Sequence, residues 1–532
     1  MKKITAPSTN PTTEKDIKIE KLENQVRELQ SLVDWYQEQF RLKQHQKYGA
    51  SSEKYSDGEQ MELPLFNEVE ISALPSEVEP ELETNEDVSI DNEKEQKKRK
   101  ARKTHSVKLP VEIVTYTLPE NEQACSSCGN DLHVMKKEIH KELIVIPAKV
   151  KVLQHERDVF ACRTCEQDNI VTPIIPSPMP NPVFPKSMAS PSAVSHIIVQ
   201  KYMVGTPLYR QEKQFEQLGV PISRQTMSNW ILYAADEWIK PLVNRMRETL
   251  INQSVLHADE TTVQVLNEPG RAASSKSYMW LYRTGREGPA CILFDYQTTR
   301  SSKHPQSFLK EFEGKLHTDG YIGYESLSHI TLSGCWAHAR RKFDEAQKAA
   351  PPSIKGQPTL AEQALQKIGA IYKIEREIAA LSSEERLKIR QEQSSPLVEA
   401  YFAWLNAIKP TVLPKSKIGE AVQYSLNQRK KLEVPFGDGR LDIDNNRAER
   451  SIKPFVIGRK NWLFSNSMKG AESSALIYSV IETAKENDLQ VFDYLVHLFE
   501  ILPNIDLKDP VVLDKLLPWS KDLPENCYLT KE

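Results

Sequence analysis

The first periodicity in the chain is a heptad. Ile19, Leu22, Val26, Leu29, Val33, Tyr36 and Phe40 recur at alternating steps of three and four, with Glu, Lys, Arg and Gln between them. That is the a/d seam of a coiled coil. The seam opens the chain and a polar tract follows it. A coiled coil joining two copies therefore stands beside the plainer reading of one amphipathic helix packed on its own protein. "QKYGASSEKY" ends the helix with glycine and serines. Residues 105–172 switch to strand-like runs, "VEIVTYTL" and "KELIVIPAKVKVLQHERDVFACRTC", and a proline-rich joint, "TPIIPSPMPNPVFP", closes them. From Ser190 to about Leu250 the pattern is helical. Residues 254–300 give three strands, "SVLHADETTVQVL", "SYMWLYRTG" and "ACILFDYQTT", and a short helix, "PQSFLKEF", leads to "GKLHTDGYIGY". Residues 345–430 read as mostly helical, and the last hundred residues as helices mixed with basic loops.

Composition changes this picture at one place. The net charge of −3 over 532 residues hides thirteen acids and one lysine between residues 59 and 95, a local −12 that leaves +9 for the rest. Residues 56–104 form a linker, acidic and then basic at "KKRKARK", and the basic body suits an anionic partner such as nucleic acid. No apolar run reaches the roughly 18 residues that a membrane span needs. The first twenty residues lack a secretory signal, so a cytoplasmic protein is expected.

Three constellations carry chemistry. Cys125 and Cys128 form one C-x-x-C pair, and Cys162 and Cys165 a second across a β-rich stretch. This spacing suits four thiolates around one structural zinc, as in a zinc ribbon. Reduced cysteines in turns, or a redox pair, are the alternatives. Next, "LYRQEKQFEQLGVPISRQTMSNWILYAADEW" reads as helix, glycine turn at Gly219, and a second helix capped by Ser223. This is helix-turn-helix spacing, with Arg224, Gln225, Ser228 and Asn229 on the exposed face for base edges or phosphates. Many such units are purely structural.

The third constellation is acidic. Val255, His257 and Asp259 share a strand face, as do His317 and Asp319 in "LHTDGY". In "DIDNNRAERSIKPF" a helix starts with Asn446 as N-cap, which makes Glu449 the N3 residue. Capping and turn duty account for all three carboxylates. Alternatively they converge to hold two Mg²⁺ ions beside a phosphate.

The strings "HADETTVQVL", "HTDGYIGY", "GCWAHARRKF", "NNRAERSIKPFVIGRKNWLF" and "YSVIETAKENDL", together with "KYGASSEK" and "CSSCG…IPAKVKV…ACRTCE", closely resemble the insertion-sequence-66 family of bacterial transposases. The resemblance implies a DDE transposase with an RNase H-like core, in which Asp259, Asp319 and Glu449 hold two Mg²⁺ (or Mn²⁺). Cys335 and His338 of "CWAH" resemble a C-x-x-H signature of such cores. With no further ligand pair close by they read as active-site support, like His257 and His317, and not as a zinc site. Arg429, Lys430, Lys431, Arg459 and Lys460 supply cations for the DNA backbone. Trp462 stacks on a displaced base or sits in the core.

The expected chain is therefore multidomain α+β. It comprises a coiled-coil helix (15–55), the linker (56–104), a zinc-binding β-rich domain (105–172) and a helix-turn-helix (190–249). An α/β RNase H-like core follows (250–490, helical insertion about 345–430), and then a C-terminal segment (491–532). The expected activity is DNA cleavage and strand transfer of an insertion sequence, acting on its terminal inverted repeats and on target DNA. A homo-oligomer, nucleoid association and small companion proteins from the same element are implied. A catalytically inactive, transposase-derived DNA-binding protein is the rival, and an RNase H-like repair nuclease the third reading.

Overall fold

The computed structural model describes residues 150–161, 174–350 and 358–529, with alternate stretches of a helix between positions 21 and 41. Cys125, Cys128, Cys162, Cys165 and the linker lie outside the described residues. The chain divides into two compact units, one of residues 1–53 and 177–527, the other of residues 54–176 and 528–532. In the second unit, strand β1 (Val159–Ala161) pairs antiparallel with β2 (Ile174–Pro176), Phe160 opposite Ile175.

The first unit is built on a mixed sheet. Its central strand β3 (Val255–Asn267) pairs antiparallel with β4 (Lys276–Thr284), which pairs antiparallel with β5 (Ile292–Gln297). On the other side β6 (Lys315–Thr318) and β7 (Thr331–Gly334) run parallel to β3, giving the order β5-β4-β3-β6-β7. Strand β8 (Ser465–Ser467) pairs parallel with the far end of β3. The first four residues of β3 are all buried, and exposure begins only at Asp259. This is the pattern of a strand whose start is covered on both faces and whose end leaves the core.

Helices α1 (Pro191–Tyr202), α2 (Leu208–Gln217) and α3 (Arg224–Tyr233) precede the sheet. Helix α3 runs through a π-helical stretch, Ala234–Ile239, into α4 (Lys240–Ile251). Their apolar faces join the sheet and the later helices in one cluster that includes Ile197, Trp230, Met246, Trp280, Phe294 and Leu498. After β7 comes an all-helical block: α5 (Trp336–Ala349), α6 (Leu360–Glu377), α7 (Ser383–Ile389), α8 (Ser395–Ile408), α9 (Lys417–Asn427) and α10 (Arg429–Glu433). It has a core of its own around Trp336, Phe343, Ile368, Tyr401 and Phe402. The helical pattern thus starts at Trp336, nine residues before the expected 345, because the first turn of α5 carries both a core residue and the C-x-x-H motif.

Buried guanidinium groups tie this block to the loop that follows it. Arg390 grips Glu375 with Nε and Nη2 at 2.7 and 2.6 Å and donates Nη1 to the carbonyls of Pro435 and Asp438. Arg386 donates to the carbonyl of Leu441 at 3.0 Å. Both side chains are essentially inaccessible, so their hydrogen bonds must be met inside the protein. Residues 435–442 are thereby fixed just ahead of helix α11 (Asn446–Trp462).

Helix α12 (Met468–Glu486) covers the outer strand β5. The amides of Ile292 and Phe294 donate to the hydroxyls of Thr483 and Ser479 at 2.9 and 2.8 Å, and Thr483 Oγ1 donates back to the Ile292 carbonyl. Spacing of four residues puts both hydroxyls on one helix face, where they satisfy edge groups that would otherwise be buried unpaired. A last pair of long helices ends with α13 (Val491–Ile501), packed on α1.

The N-terminal helix touches the helical block: Glu38 accepts from the amide of Lys417 at 2.8 Å, and Arg41 Nε donates to the Ala349 carbonyl at 3.0 Å. The seam residues Leu22, Val26, Leu29, Val33, Tyr36 and Phe40 are 48–64% exposed in this single chain. No described helix is long and apolar enough to cross a membrane.

Candidate active site

The parallel pairing of β3 and β6 sets His257 opposite His317. Two residues further along, Asp259 is still within β3, opposite Leu281 of β4, while Asp319 has left the sheet. Asp319 follows the last residue of β6, and its Oδ1 accepts the Tyr321 amide at 2.9 Å across Gly320. Gly320 has φ +95°, a left-handed conformation that a side chain would strain. The third carboxylate arrives on α11. Its cap is Asn445, not Asn446, so Glu449 is the fourth helical residue and no capping box forms. The reason is tertiary. Asn445, wholly buried, turns its side chain away from the helix and towards the sheet. It donates Nδ2 to the Ala258 carbonyl at 2.8 Å and accepts His257 Nδ1 at 2.9 Å, while its amide points at Cys335 Sγ, 3.2 Å away.

The imidazoles are scaffold. His257 and His317 stack with ring centres 5.1 Å apart, and His317 Nε2 donates to the Asp442 carbonyl. Burial, reinforced for His257 by its neighbour His317, pushes their pKa values down to about 3 and about 4, so both are neutral. They tie β3 and β6 to residues 442–445 and leave the charge to the acids.

The electrostatics of Asp259 define the site. Burial drives its pKa well above the carboxylate range, and the negative charge of Glu260 adds to this. The Glu260 amide opposes the shift, while Asp319 and Glu449 raise it further. Three carboxylates from β3, the end of β6 and α11 therefore feel one another in a poorly solvated place. Like charges held together this way call for a cation. The carboxylate oxygens of Asp259, Asp319 and Glu449 are of the donor type that hard divalent ions prefer. Glu260 itself is neutralised separately: Arg300 forks onto it, Tyr324 donates its hydroxyl at 2.8 Å, and Arg300 stacks on Tyr321 at 3.9 Å.

Glu449 also has a second set of neighbours, from α5. His338 Nδ1 lies 3.9 Å from Oε1 and Arg341 Nη2 lies 3.5 Å from Oε2. Cys335, the N-cap of α5, is buried with its thiol pushed up to about 12 by desolvation. Sequence reasoning missed Asn445, Arg341 and the Glu260–Arg300 pair. Only the doubled asparagine ahead of the helix was a usable signal.

The chain matches the profile described as "Transposase IS66 family" over residues 186–473, more than half its length. It belongs to that family. Further profiles match a zinc-finger binding domain of transposase IS66 at 122–166, "Transposase C of IS166 homeodomain" at 35–114, and an IS66 C-terminal element at 479–519. Similar proteins from Sinorhizobium fredii include the uncharacterized proteins y4hP and y4jD. The first is 29% identical over 80% of this chain and 77% of its own length, the second 30% identical over 77% and 81%.

In this IS66-family transposase the helix-turn-helix forms as the spacing predicts. Gly219 takes φ +78° in the turn, and Ser223 Oγ accepts the Thr226 amide at 3.1 Å. Arg224, Gln225 and Asn229 are exposed and Ser228 is half-buried. The basic loops divide. Lys430 and Lys460 are exposed, whereas Arg429 pairs with Glu433 and Lys431 with Glu325, both at 2.7 Å. Arg459 donates to the Thr262 carbonyl on β3 and so braces the sheet. Trp462 is partly buried, edge-on to Phe455 at 5.5 Å, as a core residue would be.

Proposed function

We propose that this transposase cuts and joins DNA by metal-dependent displacement at phosphorus, with Asp259, Asp319 and Glu449 as the catalytic carboxylates. The observation that carries the proposal is a buried carboxylate, Asp259, whose pKa is pushed up first by burial and by Glu260 and further by Asp319 and Glu449, which arrive from other elements. The strand order supports an RNase H-like core, with β3 flanked by antiparallel β4 and parallel β6 and with acids from β3, β6 and a late helix. Two Mg²⁺ or Mn²⁺ ions, when bound by these carboxylates, would supply Lewis acidity and neutralise charge at the phosphoryl group.

The chain's own groups do the positioning. Asn445 and the stacked histidines hold the start of α11, whose first turn carries Glu449, against β3. The Asx turn at Gly320 aims Asp319 out of the sheet. Arg224, Gln225 and Asn229 lie where a recognition helix reads bases, and Lys430 and Lys460 face phosphates. Cys125, Cys128, Cys162 and Cys165 hold a structural zinc. The exposed heptad stripe joins two copies on the terminal inverted repeats.

Asp319→Asn tests the catalytic assignment. It keeps size and the hydrogen bond from Tyr321 while removing charge. Nicking of labelled DNA carrying the inverted repeats that border the gene should drop to background, with binding to that DNA retained. Undiminished nicking would leave Asp319 as a turn former and end the proposal. Intact binding with no nicking by the wild type would favour the DNA-binding reading.

A further inference from the structure

Glu449 stands between two groups of residues. Besides the aspartates it faces a thiol and an imidazole: one carboxylate oxygen of Glu449, one ring nitrogen of His338 and Cys335 Sγ all lie within 4.8 Å of one another. Oε1 and Nδ1 are both shut off from solvent, and neither has a hydrogen-bond partner. Their separation of 3.9 Å is too long for a hydrogen bond. Two polar atoms buried face to face without a bond are costly unless something sits between them. A water molecule or a metal ion meets that need, and the thiol discriminates between metals. Sulfur, nitrogen and oxygen donors together suit zinc, whereas Mg²⁺ takes oxygen ligands.

The geometry is close to what zinc requires. Tetrahedral bonds of about 2.0–2.3 Å put neighbouring ligand atoms roughly 3.3–3.6 Å apart. The imidazole and carboxylate, 3.9 Å apart, thus need to approach by about half an ångström, and the sulfur, within 4.8 Å of both, by at most about 1.2 Å, which side-chain rotations supply. Arg341 opposes entry. Its Nη1 lies 3.3 Å from His338 Nε2. A guanidinium can only donate, so without metal Nε2 accepts and Nδ1 carries the proton. Metal binding sends the thiol proton to solvent, shifts the imidazole proton from Nδ1 to Nε2 and turns Arg341 away. The Arg341 side chain is 48% exposed and has room to leave. One cation beside Glu449 replaces another.

We infer that Cys335 Sγ, His338 Nδ1 and Glu449 Oε1 form a zinc site, distinct from the zinc-finger cysteines, with a fourth position open to water. On the proposed reading of Glu449 as a catalytic carboxylate, zinc here withdraws it from the aspartates. The site is therefore inhibitory: the zinc-loaded protein holds DNA without cutting it.

The test uses full-length protein dialysed against zinc, with metal counted by elemental analysis. Wild type should carry one zinc per chain more than His338→Gln and one more than Cys335→Ser. His338→Gln is the safer comparison because its side chain is partly exposed while the thiol is in the core. Equal zinc in wild type and His338→Gln overturns the site. For inhibition, each protein is assayed for Mg²⁺-dependent nicking with and without added zinc and compared with its own zinc-free rate. Zinc should slow the wild type by about tenfold or more, the scale of losing one metal-orienting group, and leave the His338→Gln ratio near one. Extra zinc bound by the wild type without slower nicking overturns the inhibitory role. An absence of nicking in every protein would refute the catalytic reading while the zinc count still judged the site.

Discussion

Asn445→Ala removes the residue that joins helix α11 to strand β3. Its amide group makes two buried hydrogen bonds, to the Ala258 carbonyl at 2.8 Å and from His257 Nδ1 at 2.9 Å, and it is wholly inaccessible. Alanine leaves the imidazole N–H with no acceptor and costs the carbonyl one bond. A buried group left unsatisfied costs about 1–3 kcal/mol and a lost neutral bond about 1, so a destabilisation of about 2–4 kcal/mol is expected. The assay is urea unfolding of the full chain, followed by the fluorescence of Trp280 and Trp336, which are both buried. Asn445→Asp sharpens the test. It preserves the acceptor for His257 but sets a carboxylate oxygen against the Ala258 carbonyl, so it should also destabilise while making His257 easier to protonate. Nicking should fall in both variants, since Glu449 sits one turn beyond the cap, and DNA binding should persist. An Asn445→Ala protein within 0.5 kcal/mol of wild type, roughly the scatter of an ordinary surface change, would refute the claim that this residue joins strand to helix.

The covering of β5 predicts that Thr483→Val, with its similar shape, destabilises by about 2 kcal/mol or more, because the Ile292 amide and carbonyl both lose a partner. Unchanged unfolding would mean that the helix covers β5 by apolar contact alone. The neutral histidines predict a pH dependence. His257 and His317 titrate at about 3 and about 4 when folded and near 6.5 when unfolded, so the unfolded chain binds more protons between these values. Their contribution is complete above about pH 6.5 and falls as pH drops towards 4, by at most about 2.7 kcal/mol per pH unit for two protons. Urea midpoints at pH 7.5 and pH 5 should differ in wild type and differ less in His317→Gln; equal slopes would refute the assignment.

The strands and the two aspartates were legible because alternation is local. A buried start, a His-x-Asp repeat and a following glycine turn are all written within a dozen residues. The helix-turn-helix was legible for the same reason, since Gly219 and Ser223 act on their immediate neighbours. What could not be read was contact across the chain. The helix cap was displaced by one residue because Asn445 spends its side chain on a strand 187 residues away. The proximity of the C-x-x-H motif to Glu449 could not be read because Glu449 lies far downstream in sequence. Arg429, Lys431 and Arg459 read as free cations, yet ion pairs or a strand carbonyl claim them, and no spacing rule shows which lysine or arginine is spoken for.

Helices cover part of both flanking strands, β5 and β7. Hydroxyls of α12 occupy the outward groups of β5, and on the far side Gly334 of β7 lies against Lys431 and Leu432 of α10, so closely that an added Cβ would sit 3.1 Å from the lysine. Edge positions engaged in this way are not available to a strand from another molecule. Were two chains to pair, the contact at these edges would be restricted to side-chain surfaces, which can be changed by substitution without disturbing the backbone ladder. An element could alter how its transposase assembles while β3 with Asp259 and the end of β6 before Asp319 stay as they are.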